Sequence, residues 1–311
     1  MSTQATPTRR YDIDWLRVLA ILMIFIYHSG RFFNPEDWHV KNAHTYAGME
    51  IWMAFVINWI MPLIFVISGA CVFYALGKGG AGKFIKGKVL RLLVPLVVGM
   101  FTHAILQVYL ERLTHGEFSG SLFEFLPHYF DGFYGLGGNF AWMGIHLWYL
   151  EMLFVFCLLF LPLFIWLKAG SGKRVLNGLG NFLAKPGAVY LLALPVIVML
   201  NLLDPSSILG MRVWGGWSIL VYPLFFLPGF VLVSHEGLQQ TIQRQRWLSL
   251  ALGVALVITL GVLMSSPGEE TFGTLAYSLV FSLYGLSAWC WILTIWGFGL
   301  QRLNFNTPFL R

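Results

Sequence analysis

The chain has 311 residues, of which 58% are hydrophobic, 17% aromatic and only 11% charged, and its mean hydropathy is +0.71. A soluble domain carries about 25% charged residues, so this chain has too little charge to cover a water-facing surface of its size. Its net charge of +6 is scattered over short loops between apolar runs, which argues against a nucleic-acid footprint and suits a topology signal.

The apolar runs are continuous and long enough to cross a bilayer, about 20 residues each. Backbone polar groups in hydrocarbon must be paired within the protein, which leaves helix bundles and closed barrels. Barrel strands alternate over about 10 residues, and these runs do not. The fold class is therefore all-α, a polytopic transmembrane bundle of about eight spans. They are expected near Ile13–Phe33, Met49–Leu76, Val89–Leu110, Ile145–Leu167, Gly187–Leu203, Trp217–Ser234, Trp247–Met264 and Leu275–Leu300. Arg9, Arg10, Lys78, Lys83, Lys86, Lys88, Arg91, Lys168, Lys173, Arg174, Lys185, Arg244, Arg246, Arg302 and Arg311 then fall on one side. Arg31, Lys41, Arg112 and Arg212 fall on the other, with most acids, including Glu36, Asp37, Glu117, Glu269 and Glu270. The positive-inside rule puts both termini in the cytoplasm. Asp12, Asp14 and Arg17 interrupt the approach to the first run and no small-residue cleavage site follows, so it reads as a retained helix. Cys71, Cys157 and Cys290 lie inside apolar runs, with no metal-ligand spacing.

Ionisable residues inside spans are costly, and each is a candidate functional site. The first span holds Asp14, Arg17 and His28 in DWLRVLAILMIFIYH. Eleven residues at about 100° each return Arg17 and His28 to within roughly 20° of one face, about 16 Å apart along the axis. An arginine near a helix end also snorkels to lipid phosphate, and a lone histidine also serves as a packing residue. The second span carries MPLIFVISGA, with Pro62, Ser68 and Gly69 allowing a local break or close backbone approach. The third opens KGKVLRLLVPL, where Lys88 and Arg91 lie three apart at the cytoplasmic edge, suited to phosphate or simply to topology. The long outer segment Thr114–Gly144 offers Tyr129, Phe133, Tyr134 and Trp142, either to stack on a sugar or to form an interfacial belt. The fourth span opens HLWYLEMLFVF, with His146, Trp148 and Glu151. Glu151 sits about 9 Å below the outer end, at a depth like that of His28. If the two helices touch, the carboxylate would orient the imidazole as a general base. His103 and His146 are alternatives for that base.

These segments together resemble the acyltransferase 3 family of integral membrane acyltransferases, over essentially the whole chain. Arg17-x10-His28, MPLIFVISGA, KVLR, HLWYLE and SAWCWILTIWGFGLQRLNFNTPFLR look like its blocks in order, and FFLPGFVLVSHEGL resembles its periplasmic glucan succinyltransferase branch. The resemblance implies one membrane domain over 1–311. It implies transfer of an acyl group, acetyl or succinyl, from cytoplasmic acyl-CoA to a hydroxyl of a periplasmic or envelope glycan. The expected setting is a bacterial inner membrane, with no nucleic acid and no resident cofactor or metal. His28 and Glu151 would be catalytic, Arg17, Lys88 and Arg91 would hold the donor, and Asp14, Ser68, His146 and Trp148 would support. There are two departures. Lys88 stands where the family has the first of two arginines, and lysine cannot make the same bidentate phosphate contact. Family members also continue for about two spans past LNFNTPFLR, so the chain is expected to be incomplete at its C-terminus. Two other classes stay open: a transporter or flippase using His28, Glu151 and His103 as a proton relay, and a non-catalytic membrane scaffold.

Overall fold

A computed structural model describes residues 9–78, 80–265 and 271–307; Glu269, Glu270 and Arg311 lie outside the described residues. The helices in chain order are α1 (Tyr11–Gly30), α2 (Ala47–Ala75), α3 (Gly80–Lys88), α4 (Val94–Met100), α5 (His103–Thr114), α6 (Leu122–His128) and α7 (Trp148–Leu159). They continue with α8 (Leu161–Leu167), α9 (Gly170–Leu183), α10 (Ala193–Leu202), α11 (Pro223–Leu232), α12 (Glu236–Ser265) and α13 (Leu275–Arg302). Among the described residues, five stretches are long and apolar enough to cross a membrane: α1, α2, Gly80–Thr114, α12 and α13. The pair formed by Ile145–Leu159 and α8, bent by 53°, makes a sixth if it is one span. Of the eight expected spans, the remaining two coincide with shorter apolar helices, Ala188–Leu202 and Ile219–Leu232. Each is only about 22 Å long, below the roughly 30 Å of a hydrocarbon core.

Proline explains two departures from straight spans. Pro95 has no N–H to give the carbonyl four residues back, and the turn before it widens into a π-helix, Val89–Leu93, closed by Val94 N–H on the Val89 carbonyl. Pro162, the second residue of α8, cannot continue α7 through Leu158, and the helix bends there.

The chain divides into two compact units. The first comprises 1–27, 52–74 and 166–311. Here α13 packs along α12 and α10, and α9 packs on α11 and α12. The core is α2, buried around its whole circumference at Phe65, Val66, Ala70 and Val72, with Trp217, Phe226 and Phe230 against it. It meets α11 at near backbone distance: a Cβ on Gly69 would collide with the Phe226 carbonyl, and one on Gly229 with the Val66 carbonyl. Small residues allow such an approach between membrane helices.

The second unit comprises 28–51 and 75–165. Its core joins α5, α6 and the segment Thr114–Gly144 through Ala104, Val108, Phe125, Tyr129 and Ala141. The segment Thr114–Gly144 is therefore folded onto α5. Ser121 and Glu124 form a reciprocal cap on α6. Arg112 ties the segment back to α5 through Asn139 Oδ1 (2.9 Å) and the Gly138 carbonyl (3.1 Å).

Candidate functional site

In the second unit, five short pieces of chain converge on one polar cluster. The end of α1 brings His28. The loop that follows it, folded by Arg31 on Glu36 and on the Asp37 carbonyl (2.9 Å), brings Trp38 and His39. The C-terminal end of α5 brings Glu111 and Arg112. The segment Thr114–Gly144 brings Tyr134, and the turn before α7 brings His146. The His28 and His146 rings meet edge to face, 4.5 Å between centroids. His146 stacks on Trp38 at 5.5 Å and faces His39 at 5.4 Å. The Arg31 guanidinium lies 4.3 Å from the Trp38 ring centroid, a cation–π contact.

The carboxylate that holds an imidazole here is Glu111. It pairs with His39 Nδ1, and accepts the Tyr134 hydroxyl at 2.8 Å, with Arg112 3.6 Å away. Burial and the Glu111 charge push the Tyr134 phenol up, so it stays a donor. Glu151 also belongs to this unit, half-buried on α7, and its Oε2 has no hydrogen-bond partner among the described residues. No group of three or more His, Cys, Asp or Glu is placed to hold a metal among the described residues.

The structure thus brings together His28 and His146 among the sequence candidates. Trp148 opens α7 and Ser68 is buried in α2. Of the donor candidates, Arg17 is half exposed and reaches Asp14 at 3.3 Å, and Asp14 also accepts from Arg9 at 2.8 Å. Lys88 lies over the Phe84 ring at 5.2 Å, and Arg91 is exposed. The widened turn starts between these two cations, so the spacing of a regular helix does not apply to them. Arg17 belongs to the first unit, Lys88 and Arg91 to the second.

Tyr129 is corrected. It is fully buried, donates to the Met100 carbonyl at 2.7 Å and cannot stack on a sugar. Phe133 and Trp142 remain exposed. Sequence reading missed His39, Glu111 and Trp38. It also missed a second polar site, in the first unit. There Arg10 donates to both oxygens of buried Asp12 (2.8 and 2.6 Å) and to the Tyr74 hydroxyl (2.9 Å). Burial works against the Arg10 charge, and the bonds to Asp12 outweigh it, raising the guanidinium pKa.

A helical chain with several membrane-length apolar segments and an imidazole–carboxylate cluster belongs to the class of multi-pass membrane proteins with a polar site built among their helices. The model of the Acyl_transf_3 family, described as an acyltransferase domain, matches residues 10–308, and the chain belongs to that family. It is similar to a protein of Escherichia coli O139:H28 (strain E24377A / ETEC) called "Glucans biosynthesis protein C". That match is 24% identical and covers 96% of this chain and 77% of the relative. Proteins of the same name from Salmonella heidelberg (strain SL476) and Escherichia coli (strain K12) are 22% and 25% identical. They are covered over 59% and 41% of their length, against 75% and 56% of this chain. The chain therefore spans well under two thirds of these last two relatives. No solved structure matches it.

Proposed function

We propose that this protein is an O-acyltransferase that moves an acetyl or succinyl group from cytoplasmic acyl-CoA to a hydroxyl of a glycan on the outer side of a bacterial inner membrane. Membership of the acyltransferase family supports the reaction class, and the relatives named for glucan biosynthesis support a glycan acceptor. The observation that carries the residue assignment is His28, at the end of α1, in edge-to-face contact with His146.

In this reading His28 takes the proton of the acceptor hydroxyl as general base. The oxygen attacks the thioester carbonyl, the C–S bond breaks, and the proton passes to the departing thiolate, giving an ester and free CoA. Glu151, an acid with an unpartnered oxygen, is the candidate to orient the base or accept its charge. Arg17, Lys88 and Arg91 would meet the donor's phosphates, which are polyanionic and favour guanidinium forks. Asp14 and Ser68 would support them, as His146 and Trp148 would support His28.

Mass spectrometry of envelope glycans, from cells carrying wild-type or His28→Ala protein at equal levels, tests the reading. Wild type adds one acyl mass per modified residue and His28→Ala adds none. Modification by His28→Ala at the wild-type level would remove the base from the scheme. Uptake or flipping of a glycan without any acyl donor would favour the transporter class instead.

A further inference from the structure

Three imidazoles and one indole of the second unit pack ring on ring. His146 meets both His28, at 4.5 Å between centroids, and His39, at 5.4 Å, edge to face with each. The Trp38 ring touches all three, at 5.5 Å from His146, 4.5 Å from His39 and 6.2 Å from His28. One end of this row is anchored: His39 Nδ1 pairs with Glu111. The Tyr134 hydroxyl donates to both Glu111 oxygens, at 2.8 and 3.1 Å, and Arg112 approaches Oε1 at 3.6 Å, so the carboxylate is held from several sides. A carboxylate on Nδ1 holds an imidazole in one tautomer and favours its protonated form.

The charges around the rings leave an anion over. On the loop after α1, the cations Arg31 and Lys41 face the acids Glu36 and Asp37. At the end of α5, the Arg112 guanidinium serves two acids, Glu111 and Glu117, the latter at 2.5 Å. Glu151, in the first turn of α7, would only add to the acid. A positive charge formed on the rings is therefore met by Glu111 and not repelled. The Glu111 and His39 side chains are only 9% and 20% exposed, and salt screens such an attraction less where groups are buried.

Resting on the reading above, in which His28 is the base, we propose that Glu111 is a positioning residue of that base, beside Glu151. It fixes His39, His39 and Trp38 fix His146, and His146 fixes the His28 ring for the acceptor hydroxyl. When His28 takes the hydroxyl proton, the Glu111 anion favours the imidazolium that results. Glu111 itself touches no reacting atom, and no bond forms or breaks on it.

The test uses the full chain purified in detergent, with acetyl-CoA or succinyl-CoA as donor and a glucan oligosaccharide as acceptor. Glu111→Gln removes the anion and keeps the shape, and Glu111→Asp keeps the anion. His39→Gln removes the ring that joins Glu111 to the row, and leaves Glu111 with Tyr134 and Arg112. Asp131→Asn is the matched control: Asp131 also pairs with an imidazole of this unit, His128 Nδ1 at 2.9 Å, but both are exposed. Each variant is assayed below the onset of its own thermal unfolding. Loss of a contact to a charged group predicts that Glu111→Gln and His39→Gln each lower kcat about tenfold. KM for both substrates should stay within about twofold, because the contact acts in the transition state and not in binding. Glu111→Asp should lose clearly less, and Asp131→Asn should match the wild type. If Glu111→Gln does not fold, His39→Gln decides alone. Wild-type kcat in His39→Gln, or in folded Glu111→Gln, overturns the assignment while leaving acyl transfer in place. An equal loss in Glu111→Asp and Glu111→Gln, or a loss that falls on KM, overturns it too. Failure of the acyltransferase reading shows separately, as a wild type that releases no CoA thiol and adds no acyl mass to the glucan, and takes this assignment with it.

Discussion

Glu111 lies in the last turn of a helix that reads as part of a membrane span, yet its carboxylate is shared by His39 and Tyr134 with Arg112 close by. Glu111→Gln keeps the shape and removes the charge that these donors converge on. Bonds to a charged group are worth about 1.5–3 kcal/mol each, so a loss of about that size is expected. Thermal unfolding of the purified variant in detergent measures it, and a midpoint equal to wild type would show that the cluster does not need the anion. The sequence displays His28 because eleven residues separate it from Arg17 on one helix, a relation that helical geometry makes readable. It hides His39 because the loop after α1 has no period, and Glu111 because it falls just past the expected end of an apolar run. What joins them is contact between segments 72 residues apart, which local pattern does not encode. Tyr129 was misread for the same reason: a loop's fold decides whether its rings face water or core.

At the scale of elements, the approach of α2 to α11 is set by two glycines facing each other's backbone. A methyl at Gly69 meets a carbonyl, which cannot rotate away as a side-chain tip could. Gly69→Ala should therefore cost about 1–3 kcal/mol, as overpacking does. Gly178, within α9 with nothing near its added Cβ, is the matched contrast. Gly178→Ala should stabilise by about 0.5–1 kcal/mol through helix propensity. The two melting temperatures should move in opposite directions. If both rise, the α2–α11 spacing is softer than it appears from the glycine contacts. The MPLIFVISGA segment displayed the need for a small residue, but not its partner, because FFLPGF lies far along the chain.

For the whole molecule, the two short apolar helices, Ala188–Leu202 and Ile219–Leu232, decide the number of crossings. With eight crossings, Ser207 faces the outside and Asn177 the cytoplasm; with six, both face the cytoplasm. In a background without Cys71, Cys157 and Cys290, Ser207→Cys is expected to react with a membrane-impermeant thiol reagent on intact spheroplasts, and Asn177→Cys only after permeabilisation. Protection of both would reduce the count to six. Membrane class, helix bundle and most spans were legible because hydrocarbon imposes a length and a polarity on every crossing. Breaks within them were not, because a proline in an apolar run does not announce whether it bends, widens or merely sits in the helix. The wide turn before Pro95 shows what that ambiguity permits. Such a turn is an α-helix with one residue inserted, so its two flanks keep the facing they would have had without it. Loss of a single residue between Val89 and Leu93 would close the loop-out and leave Phe84 and Leu96 aimed as they are. The same loss in the middle of α2 would swing half a buried helix by about 100°. This short stretch is where the chain can lengthen or shorten by one and still present the same surfaces.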